Sequence, residues 1–114
     1  MKKILYLFSF VALFSCSSEN EEDKHNDEPN GQLSYQVDIA PIIQSNCMVC
    51  HNAQAASGGL VIDGETSMVA MAQSGLLEEV LLLPPNNPRK MPPGFNLSSA
   101  DLNRLLAWIV QVNE

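Results

Sequence analysis

The sequence predicts an all-α fold consisting of one small domain. Apolar residues recur at helical spacing near both ends of the domain, with polar residues between them. The first apolar stripe is Ile39, Ile42 and Ile43, and the last is Leu102, Leu105, Leu106 and Ile109. The chain of 114 residues is long enough for one such domain.

The first predicted helix lies just after the start of the domain, near Gln32. Asp38 is placed to cap its amino-terminal end, and Pro41 falls in its first turn, where a proline costs least. We expect this helix to run directly into the segment Cys47–His51.

Two short helices are predicted in the middle of the domain, over 66–74 and 76–83, with Gly75 between them. Pro84 and Pro85 end the second of these helices, because proline cannot continue a helix. The expected core-facing positions are Met68, Met71, Leu77, Val80 and Leu81.

The last predicted helix begins at a capping box formed by Ser98 and Asp101 and runs to about Val112. Its apolar stripe would face the core. Trp108 lies beside that stripe, and we expect it to be a core aromatic residue with no redox role.

Residues 1–15 have the pattern of a secretory signal peptide. Lys2 and Lys3 give a positive start, and an apolar run over 4–14 follows that is too short to span a bilayer comfortably. The run ends in Leu-Phe-Ser-Cys16, which resembles the lipobox of bacterial lipoproteins. That resemblance implies cleavage before Cys16 and a lipid on its new amino terminus. An ordinary signal peptide with an incidental cysteine is the alternative.

Residues 16–31 are predicted to form a disordered acidic tether, because the stretch after Cys16 has no apolar side chain to bury. Loss of Lys2 and Lys3 takes the formal net charge from −7 to −9, of which −5 lies in 17–30 and −4 in 31–114. Such an acidic chain has no electrostatic basis for binding nucleic acid. A partner guided by charge would present a basic surface.

The strongest chemical signal is Cys47-Met48-Val49-Cys50-His51. It reads Cys-x-x-Cys-His, the attachment pattern of a c-type haem. On a helical turn the two sulfurs point to one side, so both can form thioether bonds to one edge of the porphyrin. The imidazole of His51 can then reach the iron as the fifth ligand.

Two other interpretations of the cysteine pair remain open from the sequence. A zinc site needs two further Cys or His ligands, and the candidates, Cys16 and His25, both lie outside the predicted domain. A thiol redox pair of the thioredoxin type would need a βαβ context, which the sequence does not show. With lipid on Cys16 and haem on Cys47 and Cys50, the odd count of three cysteines requires no intermolecular disulfide.

A proline-rich loop offers a sixth iron ligand, Met91. Pro92 pushes Met91 out of the helical conformation and Pro93 stiffens the chain that follows, so the loop can hold the thioether sulfur in a fixed place. A methionine sulfur suits haem iron and raises its reduction potential. Met68 and Met71 are the rival ligands, and filling the core is the other role open to Met91.

Arg89 and Lys90 precede this methionine and are two of the three basic residues of the domain. One of them could pair with a haem propionate, and the other could mark a docking surface. The alternative is that both side chains are solvated charges on the loop.

Taken together, residues 35–112 resemble a class I cytochrome c domain. The resemblance rests on Cys47-x-x-Cys50-His51, on Met91-Pro92-Pro93-Gly94 and on the closing helix with Trp108-Ile109. It implies amino- and carboxyl-terminal helices that cross each other, and a haem enclosed by helices and loops. The short middle of this chain, bounded by prolines, departs from the family pattern.

The resemblance implies a membrane-tethered carrier of single electrons in which His51 and Met91 hold one covalent haem c. Its partners would be redox donor and acceptor proteins and, through lipid on Cys16, a bacterial membrane; the domain would face the periplasm or the cell surface. The sequence shows no general acid, base or nucleophile constellation, so we do not predict an enzyme. The alternatives are a haem subunit of a peroxidase or oxidase with a labile distal ligand, and a non-haem surface lipoprotein with a zinc or thiol Cys-x-x-Cys.

Overall fold

The computed structural model describes residues 31–114, and every regular element among them is helical. A π-helical turn, Tyr35–Ile39, continues into α1 (Ala40–Asn46), and a 3-10 turn, Ser57–Gly59, precedes α2 (Glu65–Gln73), α3 (Leu76–Leu82) and α4 (Ser99–Val112). The predicted all-α class is therefore confirmed. The predicted signal peptide, the lipid site at Cys16, and His25 and the rest of the tether up to residue 30 lie outside the described residues.

Within residues 31–114, none of the helices has the length and apolar character needed to cross a membrane. The longest of them is α4, which begins at Ser99 and ends at Val112. The shortest, α1 and α3, have seven residues each.

The first helix begins earlier than predicted, because the π-helical turn precedes α1. Ser34 occupies the N-cap position, so the prediction that Asp38 caps the helix is wrong. Asp38 instead lies inside the turn, where its carboxylate accepts a hydrogen bond from the backbone N–H of Ser34 at 2.8 Å. The carboxylate thus satisfies the backbone N–H of the N-cap residue. In a capping box the acidic residue at the third helical position does the same. Pro41 lies in the first turn of α1, as predicted.

The two middle helices occur where the sequence places them, to within a residue at each end. Gly75 separates them in the left-handed conformation, with φ of 79°, which only glycine adopts without strain. Leu83 follows α3 in an extended conformation and leads into Pro84 and Pro85. The residue before a proline is disfavoured in the helical region, which explains why the helix stops there.

The predicted cap of α4 is also present. The Ser98 hydroxyl accepts a hydrogen bond from the backbone N–H of Asp101 at 3.1 Å, and it donates one to the Asp101 carboxylate at 2.8 Å. The first interaction satisfies a free N–H of the first turn, and the second holds the negative carboxylate close to the positive end of the helix dipole. The sequence signal for this helix start is local, and the helix follows it.

All four helices contribute to a single core. Trp108 of α4 is 2% exposed, and its ring lies 5.6 Å from the ring of Tyr35 in the first helical turn. The side-chain amide of Gln111 also binds both the N–H and the C=O of Leu33, at 2.8 and 2.9 Å. These contacts join the start of the domain to its last helix. The other buried hydrophobic residues are Ile39, Ala40, Ile42, Ile43, Ile62, Met68, Ala72, Leu77, Leu81, Leu105 and Ile109.

Candidate haem attachment site

The segment Cys47–His51 forms a single helical turn at the end of α1. The backbone N–H groups of Cys50 and His51 donate to the carbonyl of Cys47, at 3.2 and 3.0 Å. The N–H groups of Cys47 and Met48 both donate to the carbonyl of Ile43, at 2.9 and 3.0 Å, so the motif follows directly on the last turn of α1. The first helix leads directly into the cysteine pair, as predicted.

The two cysteines differ in their surroundings. Cys47 is half-buried and packs against the core, whereas Cys50 is exposed. Burial raises the pKa of the Cys47 thiol to about 11. A reactive redox pair depends on one thiol whose pKa is lowered, and these surroundings make Cys47 a poor candidate for that thiol.

The imidazole of His51 is oriented by the loop that follows the motif. Its Nδ1 lies 3.3 Å from the carbonyl oxygen of Leu60. A carbonyl oxygen can only accept a hydrogen bond, so in the neutral imidazole this contact favours the tautomer with the proton on Nδ1 and the lone pair on Nε2. Metal-binding histidines commonly donate their second N–H in this way, which fixes both the tautomer and the ring orientation.

The backbone of His51 is fixed as well. Its carbonyl accepts a hydrogen bond from the N–H of Ile62 at 2.8 Å, and the side chain of Ile62 is buried in the core. The returning segment Leu60–Ile62 therefore holds both the ring and the main chain of the histidine. It is this pair of contacts that gives the imidazole a defined direction.

Asn52 is a structural residue that the sequence analysis missed. Its Nδ2 donates to the carbonyl of Met48 at 2.7 Å, and its Oδ1 accepts from the N–H groups of Gln54 and Ala55, both at 2.9 Å. Asn52 thereby fixes the turn that carries the chain away from His51. The tendency of asparagine to bind backbone groups two and three residues on was the available signal.

The main chain of Met91 is hydrogen-bonded to α3 and not to the Cys47–His51 turn. Its side chain is half-buried, and its backbone N–H donates to the carbonyl of Val80 at 3.0 Å. The Met91–Pro92 peptide bond is cis. Among residues 31–114, no hydrogen bond joins this loop directly to Cys47–His51.

The rival methionines have other surroundings. Met68 is fully buried in the core, and Met71 is half-buried and packs against it. Met91 does not belong to the set of half-buried side chains that pack against the core of the described residues. The side chains of Met68 and Met71 are therefore more involved in core packing than that of Met91.

The basic residues before Met91 also contact α3. Arg89 Nη1 lies 2.9 Å from Glu79 Oε1, and the ammonium of Lys90 donates to the carbonyl of Leu81. The alternative of a solvated loop charge still fits Arg89, whose side chain is 59% exposed, whereas Lys90 is half-buried. Both cations have partners within the chain.

Exposed apolar side chains occur next to the candidate site residues. Of the seven large hydrophobic residues that are exposed in the described chain, five lie in the segments that carry the candidate ligands or their backbone partners. They are Val49 at 66%, Val61 at 39%, Leu76 at 39%, Leu82 at 55% and Phe95 at 52% exposure. Single exposed apolar side chains are common on protein surfaces, and these are the ones that a ligand bound at this site could cover.

The described residues contain no ready-made metal site of the kind that zinc occupies. Among residues 31–114, no three His, Cys, Asp or Glu side chains are grouped so that they could hold a metal ion together. A zinc site would therefore have to draw on Cys16 or His25, which lie outside the described residues.

No family model, curated protein or solved structure matches this chain.

Proposed function

We propose that this chain is a membrane-tethered c-type cytochrome that carries single electrons. The observation that supports this most directly is the turn Cys47–His51, in which the histidine ring is oriented by the contact of Nδ1 with the carbonyl of Leu60. A helical turn with two thiols and a directed imidazole is the arrangement that covalent haem attachment requires.

Each residue of the site has a separate role in this proposal. Cys47 and Cys50 form the two thioether bonds, and His51 binds the iron through Nε2. Met91 provides the sixth ligand through its sulfur. The exposed side chains Val49, Val61, Leu82 and Phe95 supply apolar surface for the porphyrin, which would remove them from water.

The fit of the haem is supported by the donor set as well as by the exposed apolar surface. His51 and Met91 offer one nitrogen and one sulfur, the pair used by cytochromes that transfer electrons. A covalently bound haem would supply an iron that takes one electron from a donor protein and passes it to an acceptor protein. Because both axial positions would be filled by the protein, the proposed role is that of a carrier and not of an enzyme.

The proposed fold is the cytochrome c-like one, with the first helix and α4 crossing. The contact between Tyr35 and Trp108 supports this, because it joins the two helices through a buried aromatic pair. The remaining parts of the proposal concern the cell. We propose export by the signal peptide 1–15, a lipid on Cys16, and a tether over 16–31 that lets the domain move between partners at a membrane facing the periplasm or the cell surface.

The test is a pair of absorption spectra, oxidised and reduced, on protein produced in a host that assembles c-type cytochromes. We expect a haem spectrum that changes reversibly on reduction and haem that stays on the chain in a denaturing gel. We also expect the resting protein not to bind carbon monoxide rapidly. Rapid binding would favour the haem subunit of a peroxidase or oxidase, and a chain without haem would favour the non-haem lipoprotein.

A further inference from the structure

The loop that carries Met91 is attached to α3 residue by residue. Three consecutive loop residues contact three consecutive helix residues: Arg89 pairs with Glu79, Met91 with Val80 and Lys90 with Leu81. Two of these contacts end on backbone carbonyls in the last turn of α3.

These two carbonyls lie where a helix needs partners from outside. The last four C=O groups of a helix have no N–H group within the helix to bind. Here the carbonyl of Val80 accepts the backbone N–H of Met91, and the carbonyl of Leu81 accepts the ammonium of Lys90. The loop therefore caps α3, and the capping places Met91 at a defined position along the helix.

The two cations differ in how strongly they can hold the loop. Arg89 and Glu79 are both half-exposed or more, at 59% and 50%, so water and salt screen their attraction. Lys90 is half-buried, and its ammonium lies at the negative end of the α3 dipole. A hydrogen bond from a charged donor in such a place is stronger than a neutral one.

We propose that Lys90 is a positioning residue for the Met91 sulfur, acting through its hydrogen bond to the Leu81 carbonyl. The proposal rests on the proposed function, because it assumes that Met91 is an iron ligand. Lys90 has no contact with the iron in this account. It keeps the loop closed, and a closed loop keeps the sulfur within reach of the metal.

An added ligand can reach the iron only when the Met91 loop opens. The apparent affinity for that ligand therefore depends on the fraction of the protein in which the loop is open. A change that destabilises the closed loop raises this fraction and with it the apparent affinity. Removing the hydrogen bond of Lys90 should increase the open fraction. The same change should leave the covalent attachment at Cys47 and Cys50 intact.

The experiment measures imidazole binding to the oxidised, haem-loaded full chain, followed by the loss of the sulfur-to-iron charge-transfer band. We expect Lys90→Ala to bind imidazole on the order of tenfold more tightly than the unchanged protein. Lys90→Arg keeps a cationic donor and should restore most of the original affinity. Arg89→Ala removes only the screened ion pair and should stay close to the unchanged protein.

A second control separates positioning from general stability. Ser98→Ala removes the cap of α4 and weakens the fold without removing any of the three contacts between the loop and α3, so it should not change imidazole affinity. If Lys90→Ala binds imidazole like Arg89→Ala, or if Ser98→Ala shifts the affinity equally, the positioning role is overturned while the proposed function stands. If the unchanged protein shows covalent haem but no sulfur band, Met91 is not the ligand and the positioning role fails with it. If the unchanged protein carries no haem, the proposed function itself fails.

Discussion

The double variant Cys47→Ala, Cys50→Ala should lose most of its helical structure at 25 °C. A domain of the 84 described residues has a free energy of unfolding of only about 4–13 kcal/mol, taking about 0.05–0.15 kcal/mol per residue. Its core contains thirteen buried hydrophobic residues, two of them alanines. Truncating one large core side chain already costs about 2–5 kcal/mol. A haem is larger than any side chain, so its loss should cancel most of the net stability.

Circular dichroism, with a thermal melt, measures this effect. The matched control is Val110→Ala, which lies in α4, outside the proposed haem site, and is 59% exposed. It keeps the Cys-x-x-Cys-His pattern, so it should retain haem and melt like the unchanged protein. A native-like helical spectrum with a cooperative melt in the double cysteine variant would contradict the view that the polypeptide depends on haem to fold.

Replacing Met91 by alanine should abolish the sulfur-to-iron charge-transfer band and lower the reduction potential. Axial ligands set haem potentials over a range of about 0.8 V, and a methionine ligand raises the potential. We therefore expect the loss of Met91 to lower the potential by on the order of 0.1–0.3 V, a substantial part of that range. The iron would also gain an open position, so carbon monoxide should bind rapidly to the reduced variant.

The rival ligands provide the control for Met91. Met71→Leu and Met68→Leu conserve side-chain volume, and each should keep the band and the potential. Met68 is fully buried, so its replacement also tests whether a core change alone disturbs the spectrum. Retention of the band in Met91→Ala together with its loss in Met71→Leu would transfer the ligand role to Met71.

Local signals in the sequence predicted most of the helices. The end of α2 and the start of α3 follow from Gly75, the end of α3 follows from Pro84, and the start of α4 follows from the pair Ser98 and Asp101. The apolar stripes were equally informative, since helical spacing alone places their members on one face. Both kinds of signal act over a single helix or turn.

The features that the sequence did not reveal depend on contacts between distant segments. The start of the first helix was misplaced because Asp38 acts from inside the turn on Ser34 and not as the cap. Gln111 binds Leu33 across 78 positions of the chain, and no local pattern indicates such a pair.

The candidate site shows the same division between local and long-range features. The chain order alone indicates that the cysteines and His51 share one turn. That the carbonyl of Leu60 orients the imidazole becomes evident only when the loop is seen to return. The same holds for Lys90, whose partner, the carbonyl of Leu81, lies nine positions earlier in the chain.

The central claim is that one haem is bound covalently to Cys47 and Cys50, and mass spectrometry tests it most directly. The protein would be matured in a host that assembles c-type cytochromes, denatured, extracted to remove loose haem and digested. We predict that the peptide containing both cysteines carries the added mass of one haem. The same peptide at its unmodified mass, with two free thiols, would contradict the claim and with it the proposed role in electron transfer.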